Sequence, residues 1–229
     1  IVIACNTASA LALDAVKDEF DLPIIGVVIP GARAAVEATT NGKVGVVGTE
    51  ATVQSGMYTK VIQGMNPKIE VIEKACPLFV PLVEEGFKED IVTREIIEYY
   101  LESMRNTDID AMILGCTHYP LLRSKIREYM GDKIQIVNPA YETAMDLKRL
   151  LEEEEMANDE TTEHHSEYSF YVSDAADMDE AIRRVTKVFG VHSVCRAVEM
   201  EKDSFEALCA QAAKLMEGYK GTFKVNARR

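Results

Sequence analysis

The sequence predicts an α/β fold built on parallel β-sheets. Short apolar segments alternate with amphipathic helical patterns through residues 1–150, as in strands joined by crossover helices. The segments are β-branched or continuously apolar, which is typical of strands covered on both faces. Polar residues that can cap a helix follow several of them directly.

The elements follow one another in a regular order. Predicted strands occupy residues 1–5, 24–28, 44–48, 69–74, 111–116 and 134–138. Predicted helices occupy residues 7–20, 52–64, 82–86 onward, 93–105, 119–130 and 140–155. In the helix over residues 93–105, Ile97, Leu101 and Met104 form one apolar stripe, which indicates core packing.

The C-terminal part has a different pattern. Residues 152–167 are acidic and polar, and the neighbouring His164 and His165 have no third ligand in view, so no metal site is predicted. Beyond them we predict a strand over residues 168–172, a helix over 178–189, a strand over 193–197, a helix over 204–217 and a strand over 222–227.

Composition and charge exclude several classes of protein. The apolar segments are far shorter than the roughly 20 residues of a membrane-spanning helix, and five thinly spread cysteines indicate reduced thiols and a cytoplasmic location. Residues 1–167 carry 29 acidic and 15 basic side chains, which disfavours nucleic-acid binding there. Residues 168–229 carry 9 acidic and 10 basic side chains, so their charge does not disfavour nucleic-acid binding.

One local pattern occurs twice, as IVIACNTASA at residues 1–10 and AMILGCTHYP at residues 111–120. Each copy places a cysteine, Cys5 or Cys116, at the carboxyl end of a predicted strand, followed by residues that can cap a helix. That edge of a parallel sheet is where open α/β folds form their ligand crevice. For either cysteine alone, a small thiol that fills space at a strand end is an equally good interpretation.

Two thiols in matched settings suit a reaction that needs a base on one face of a carbon and an acid on the other. A free thiol has a pKa of about 8.5, and a helix N-terminus favours the thiolate, so we expect both pKa values to be lowered. Removing the α-proton on one face and returning a proton to the other racemises an amino acid. Asn6, Thr7 and Thr117 offer polar groups for its carboxylate and ammonium groups.

Six ordered segments together resemble glutamate racemase. They are IVIACNTASA, PIIGVVIPGA, KVGVVGTEATVQSGMY, ACPLFVPLVEEG, LGCTHYPLL and VNPAYETA. The resemblance implies a cofactor-independent enzyme of two similar α/β domains that binds glutamate between them and supplies D-glutamate for peptidoglycan. It implies that Cys5 and Cys116 are the acid/base thiols. Asn6, Thr7, Thr117 and His118 match substrate-site residues.

The resemblance also implies that His118 and Glu84 assist the thiols. For Glu84, a favourable interaction with a helix dipole is an equally good interpretation. Cys76 precedes a proline, lacks the pattern around the other two thiols, and is interpreted as structural. An aspartate racemase, which uses the same pair of thiols, is the alternative enzyme function.

The resemblance sets the expected domains. Family members carry an Asp-Ser-Gly strand and a Tyr-Gly segment before the first thiol, and neither occurs in these 229 residues. We therefore expect an incomplete first domain over residues 1–29 and 137–172, a second domain over residues 30–136, and a chain that is inactive or impaired as given. A homodimer is left open.

Residues 173–229 resemble the start of tRNA 4-thiouridine sulfurtransferase, on the segments VFGVHSV and GTFKVNARR. This implies a partial ferredoxin-like and THUMP segment that contacts tRNA, and a tRNA-binding fragment is the alternative function. The residues suited to phosphate contacts are Lys220, Lys224, Arg228 and Arg229, although four basic residues near a terminus are more often simply solvated. The change of resemblance near residues 173–177 indicates two joined coding sequences, by natural fusion or by an assembly artefact.

Overall fold

In a computed structural model of the chain, which describes residues 1–87 and 89–158, every strand belongs to one of two parallel sheets. Strands β1 (Val2–Ile3) and β2 (Ile25–Gly26) form a two-stranded sheet. Strands β3 (Lys43–Gly48), β4 (Glu70–Ala75), β5 (Ala111–Gly115) and β6 (Gln135–Val137) form a four-stranded sheet in the order β4-β3-β5-β6. The predicted parallel α/β fold is confirmed.

The helices alternate with these strands. They are α1 (Asn6–Leu11), α2 (Leu13–Glu19), α3 (Val28–Ala38), α4 (Glu50–Gln54), α5 (Met57–Met65), α6 (Phe79–Glu84), α7 (Ile91–Arg105), α8 (Arg123–Met130) and α9 (Pro139–Glu153). A 3₁₀ turn over Tyr119–Leu122 precedes α8. Among the described residues, no helix combines the length and apolar character needed to cross a membrane.

Core side chains cover both faces of the four-stranded sheet, because successive residues of a strand point to opposite sides. Val44, Val46 and Ile113 join a cluster with Tyr58 and Ile62 of α5. On the other face, the alternate residues Val47, Met112 and Leu114 join Phe79 of α6, Leu101 of α7 and Ile126 of α8. The stripe predicted for residues 93–105 is part of this core, since Ile97, Leu101 and Met104 are buried.

The main error of the sequence prediction is helix α3. The strand predicted over residues 24–28 ends at Gly26, and a helix that was not predicted begins at Val28. Pro30 signals a break in sequence, but it lies in the first turn of α3, where a backbone N–H has no partner within the helix and its loss costs little. Small residues such as Ala32 and Ala35 then pack fully buried.

Two predicted helices are each divided in two. The helix predicted over residues 7–20 is interrupted at Ala12, which lies outside helical geometry with φ −125° and ψ −6°. The helix predicted over residues 52–64 is interrupted at Gly56, whose φ of 59° is left-handed and favours glycine. Up to residue 158, the other predicted helices and strands occur with ends shifted by a few residues, and residues 79–84 form the helix that was predicted to start at residue 82.

Helix α3 crosses the predicted domain boundary at residues 29–30, and it packs against both α5 and α9. The division into two domains therefore stays a prediction. The elements predicted beyond residue 158, including the whole ferredoxin-like segment, lie outside the described residues.

Candidate active site

Three strands of the larger sheet end side by side. Gly48 of β3 pairs with Gly115 of β5 on one side and with Ala75 of β4 on the other. The residues that follow, Thr49, Cys116 and Cys76, therefore leave the sheet at the same carboxyl edge. The sequence pattern located this edge correctly for Cys116.

Cys116 is buried, with 9% of its surface exposed. Burial raises the pKa of its thiol, while hydrogen bonds from the backbone N–H groups of His118 and Tyr119 lower it. A negative charge on Cys5 raises the pKa of Cys116 further, and the Thr117 hydroxyl lowers it. The net pKa lies above the ordinary value, so the lowered pKa expected for Cys116 is wrong, because desolvation outweighs the donors.

His118 connects Cys116 to a carboxylate. Its Nδ1 lies 3.9 Å from Cys116 Sγ and 3.2 Å from Thr117 Oγ1, and its Nε2 lies 3.2 Å from Glu84 Oε1. Because the carboxylate accepts a hydrogen bond from Nε2–H, the neutral ring keeps its lone pair on Nδ1, beside the thiol. This arrangement can move a proton between Cys116 and the imidazole.

Cys5 caps helix α1 with its sulfur. It follows β1 in an extended conformation, and its Sγ accepts a hydrogen bond from Ala8 N at 3.5 Å. Unlike Cys116, it is exposed. A negative charge on its sulfur raises the pKa of Cys116.

Three threonine hydroxyls lie together where α1 meets α4, and one of them, on Thr7, lies two residues after Cys5 along the chain. Thr7 Oγ1 lies 2.9 Å from Thr49 Oγ1 and 3.0 Å from Thr52 Oγ1, and the last two lie 3.0 Å apart. Thr49 and Thr52 were missed in the sequence analysis. The signal was present, since GTEAT follows a predicted strand in the way that a helix cap does, and Thr49 caps α4.

The predicted site residues fall into two groups. Cys116, Thr117, His118 and Glu84 are brought together at the end of β5, and Cys5, Asn6 and Thr7 at the start of α1. Cys76 is fully buried, and burial raises the pKa of its thiol to about 12, in keeping with a structural role. The basic residues proposed for phosphate contacts lie outside the described residues; they are Lys220, Lys224, Arg228 and Arg229.

Comparison with known proteins gives a consistent result. Residues 1–146 match the model of the Asp/Glu/Hydantoin racemase family. A glutamate racemase from Geobacter metallireducens is 43% identical over 174 residues, which are 76% of this chain and 64% of that protein.

Solved structures agree with this match. The crystal structure of a glutamate racemase isoform from Bacillus anthracis is 40% identical with a TM-score of 0.66, covering 68% of this chain and 58% of that one. A glutamate racemase from Francisella tularensis, solved in complex with D-glutamate, is 35% identical with a TM-score of 0.66, covering 71% of this chain and 60% of that one. The chain thus spans somewhat less than two thirds of these relatives, and it belongs to the Asp/Glu/Hydantoin racemase family.

Proposed function

We propose that this protein is a glutamate racemase that interconverts L- and D-glutamate without a cofactor, and that its product serves peptidoglycan synthesis. The observation that carries the proposal is geometric: Cys5 and Cys116 each follow a strand of a parallel sheet at its carboxyl end, Cys5 capping α1 with its sulfur and Cys116 lying beside His118. The extent of identity to glutamate racemases supports glutamate as the substrate.

The coupling suits a reaction with one base and one acid. Because a charge on Cys5 disfavours a charge on Cys116, the two thiols do not both ionise at once, and a reaction with one base and one acid needs only one thiolate at a time. The thiolate removes the α-proton of glutamate, and the electron pair of the broken C–H bond is delocalised into the α-carboxylate. The thiol then gives its proton to the opposite face of the carbon, which inverts the configuration.

His118 and Glu84 serve the Cys116 side of this reaction. The Nδ1 lone pair of His118 accepts the proton of Cys116 when that thiol has to act as the base, and it returns the proton when Cys116 acts as the acid. Glu84 stabilises the imidazolium formed in between, through its contact with Nε2.

The substrate carboxylates require donors that can turn toward them. The three hydroxyls of Thr7, Thr49 and Thr52 each carry one rotatable O–H, and Thr117 adds a fourth next to Cys116. Asn6 adds a carboxamide beside Cys5. Together these groups supply donors that follow the strand ends where the two thiols lie.

The proposal is tested by incubating the protein with L-glutamate in D₂O. We expect deuterium at the α-carbon and loss of optical activity, and we expect Cys5→Ser and Cys116→Ser each to abolish racemisation. L-Aspartate in the same assay tests the alternative enzyme function and should exchange far more slowly. Because the chain as given is expected to be impaired, the deciding outcome is the comparison of variants: single serine variants that exchange as fast as the unaltered chain would contradict the proposal.

Several finer proposals accompany this one. A first domain over residues 1–29 and 137–172 and a second over residues 30–136, a cytoplasmic location and a homodimer remain predictions from the sequence. A tRNA contact through residues 173–229 rests on the sequence resemblance alone. A salt-sensitive gel shift with tRNA that is lost on truncation at residue 177 would support it.

A further inference from the structure

Tyr58 lies between the two groups of site residues, with its ring near the residue before Cys116 and its hydroxyl bonded to the residue after Cys5. It lies on α5 and is fully buried. A side chain on Gly115, the residue before Cys116, would meet the Tyr58 ring, since a Cβ there would lie 3.2 Å from Cε2. At the end of the same ring, the hydroxyl lies 2.6 Å from Oδ1 of Asn6, the residue after Cys5.

The direction of this hydrogen bond follows from the surroundings of the hydroxyl. Burial raises the pKa of Tyr58, and the negative charge of Glu73 raises it further, so the phenol keeps its proton. Within the described residues, Asn6 is the partner that the structure gives this hydroxyl. A buried O–H needs an acceptor, which the carboxamide supplies only through its oxygen.

Fixing Oδ1 also fixes the other end of the carboxamide. Within the described part of the chain, Nδ2 of Asn6 has no hydrogen-bond partner. The buried polar atoms that lack a partner there do not include Nδ2. Since Oδ1 faces the Tyr58 hydroxyl, the two N–H donors of Nδ2 turn away from Tyr58, and within the described residues the chain gives them no partner.

We propose that Tyr58 is a positioning residue, whose hydroxyl holds the Asn6 carboxamide so that Nδ2 donates to a carboxylate of the bound amino acid beside Cys5. The inference rests on the proposed racemase function for its substrate. Without the hydroxyl, the carboxamide can rotate and offer its oxygen to the carboxylate, which repels it. The ring alone would preserve the packing beneath Gly115.

The kinetic test uses Tyr58→Phe, Asn6→Ala and the double variant. We expect Tyr58→Phe to raise KM for both enantiomers about tenfold, the loss of roughly one hydrogen bond, with kcat changed by less than about threefold. Because Tyr58 acts through Asn6, the double variant should have the KM of Asn6→Ala. Tyr100→Phe is the matched control, since Tyr100 is a buried tyrosine of the other core cluster and should leave KM unchanged.

A second measurement is independent of turnover. The side-chain amide of Asn6, followed by ¹⁵N NMR, should be rigid in the unaltered protein and mobile in Tyr58→Phe, and L-glutamate should shift its signals less in the variant. A chain that binds glutamate in this way but does not exchange the α-proton would refute the racemase function and leave the positioning role standing. Unchanged Asn6 mobility in Tyr58→Phe, or a further rise of KM in the double variant, would overturn the positioning role.

Discussion

The regions around Cys116 and Cys5 share a sequence pattern but differ in their surroundings. Cys116 follows a strand of the four-stranded sheet and is buried. Its thiol lies beside His118, and His118 in turn contacts the carboxylate of Glu84. Cys5 leaves a two-stranded sheet, is exposed, and has the Ala8 N–H as its polar contact within the described residues.

This difference shows that one motif can supply two chemically distinct groups. At Cys116, burial keeps the thiol protonated, so that it is ready to give a proton but needs help to lose one. The carboxylate that stabilises protonated His118 lies outside the motif, because Glu84 belongs to α6. We therefore expect the two regions to respond differently when their partners are removed.

Among changes to the partners of the thiols, Glu84→Gln has the largest expected effect, because it removes the charge that stabilises protonated His118. We expect kcat/KM to fall by roughly 10- to 100-fold, a part of what general acid–base catalysis contributes. The fall must be equal for both enantiomers, since the racemisation equilibrium constant is one. Glu85→Gln, at the exposed neighbouring position, is the matched control.

Isotope effects then show which thiol has been slowed. With α-deuterated substrates, Glu84→Gln should raise the isotope effect on kcat/KM for the enantiomer whose proton Cys116 removes, and should lower it for the other. Equal changes for both enantiomers would mean that Glu84 serves both thiols, and the contrast between the regions would be lost.

How much of this contrast the sequence could predict depends on the distance between partners along the chain. The thiols and their strand ends are local features that the repeated pattern predicts, and the role of the adjacent His118 is implied by the resemblance to glutamate racemase. The cluster of Thr7 with Thr49 and Thr52 was missed, because it joins residues 42 and 45 positions apart that only the packing of α1 against α4 brings together.

The pKa of Cys116 was predicted in the wrong direction for a related reason. A helix N-terminus can be recognised in a sequence, whereas the burial that opposes it depends on Leu122, Tyr119 and the rest of the core around the strand end. Helix α3 was missed because Pro30 has opposite meanings in a first turn and in a helix interior.

The next largest effect tests how tightly the Cys116 region is packed. A Cβ on Gly115 would lie 2.8 Å from Val47 O, so Gly115→Ala forces the backbone apart. We expect the free energy of unfolding to fall by about 1–3 kcal/mol, as for other overpacked sites. Gly64→Ala, in a helix with nothing within 4 Å of the new Cβ, should raise it by up to about 1 kcal/mol. Urea unfolding measures both, and equal effects would contradict the close packing.

Alkylation compares the thiols directly. During brief treatment of the native protein with iodoacetamide, Cys5 should react at least about tenfold faster than Cys116, because Cys5 is exposed whereas Cys116 is buried with a raised pKa. Peptide mapping by mass spectrometry measures each rate, and the urea-unfolded chain should show no such preference. Faster reaction at Cys116 would mean that its thiolate is stabilised more than burial allows.

The smallest effect concerns Cys76, the thiol that the same sheet edge buries completely. Its pKa is raised from 9.0 to about 12, chiefly by burial, so the unfolded chain loses this proton at a lower pH than the folded chain does. The stabilisation from this shift is fully present below pH 9 and is lost progressively as the pH rises toward 12. Between pH 8 and pH 10 we expect Cys76 to account for a loss of about 1 kcal/mol in the free energy of unfolding. Cys76→Ala should show a correspondingly weaker pH dependence in urea unfolding, whereas Ile62→Val, a core change without a titrating group, should keep the original slope. The same slope in all three proteins would mean that Cys76 ionises in the folded state as readily as in the unfolded one, and that burial at this edge does not control thiol acidity.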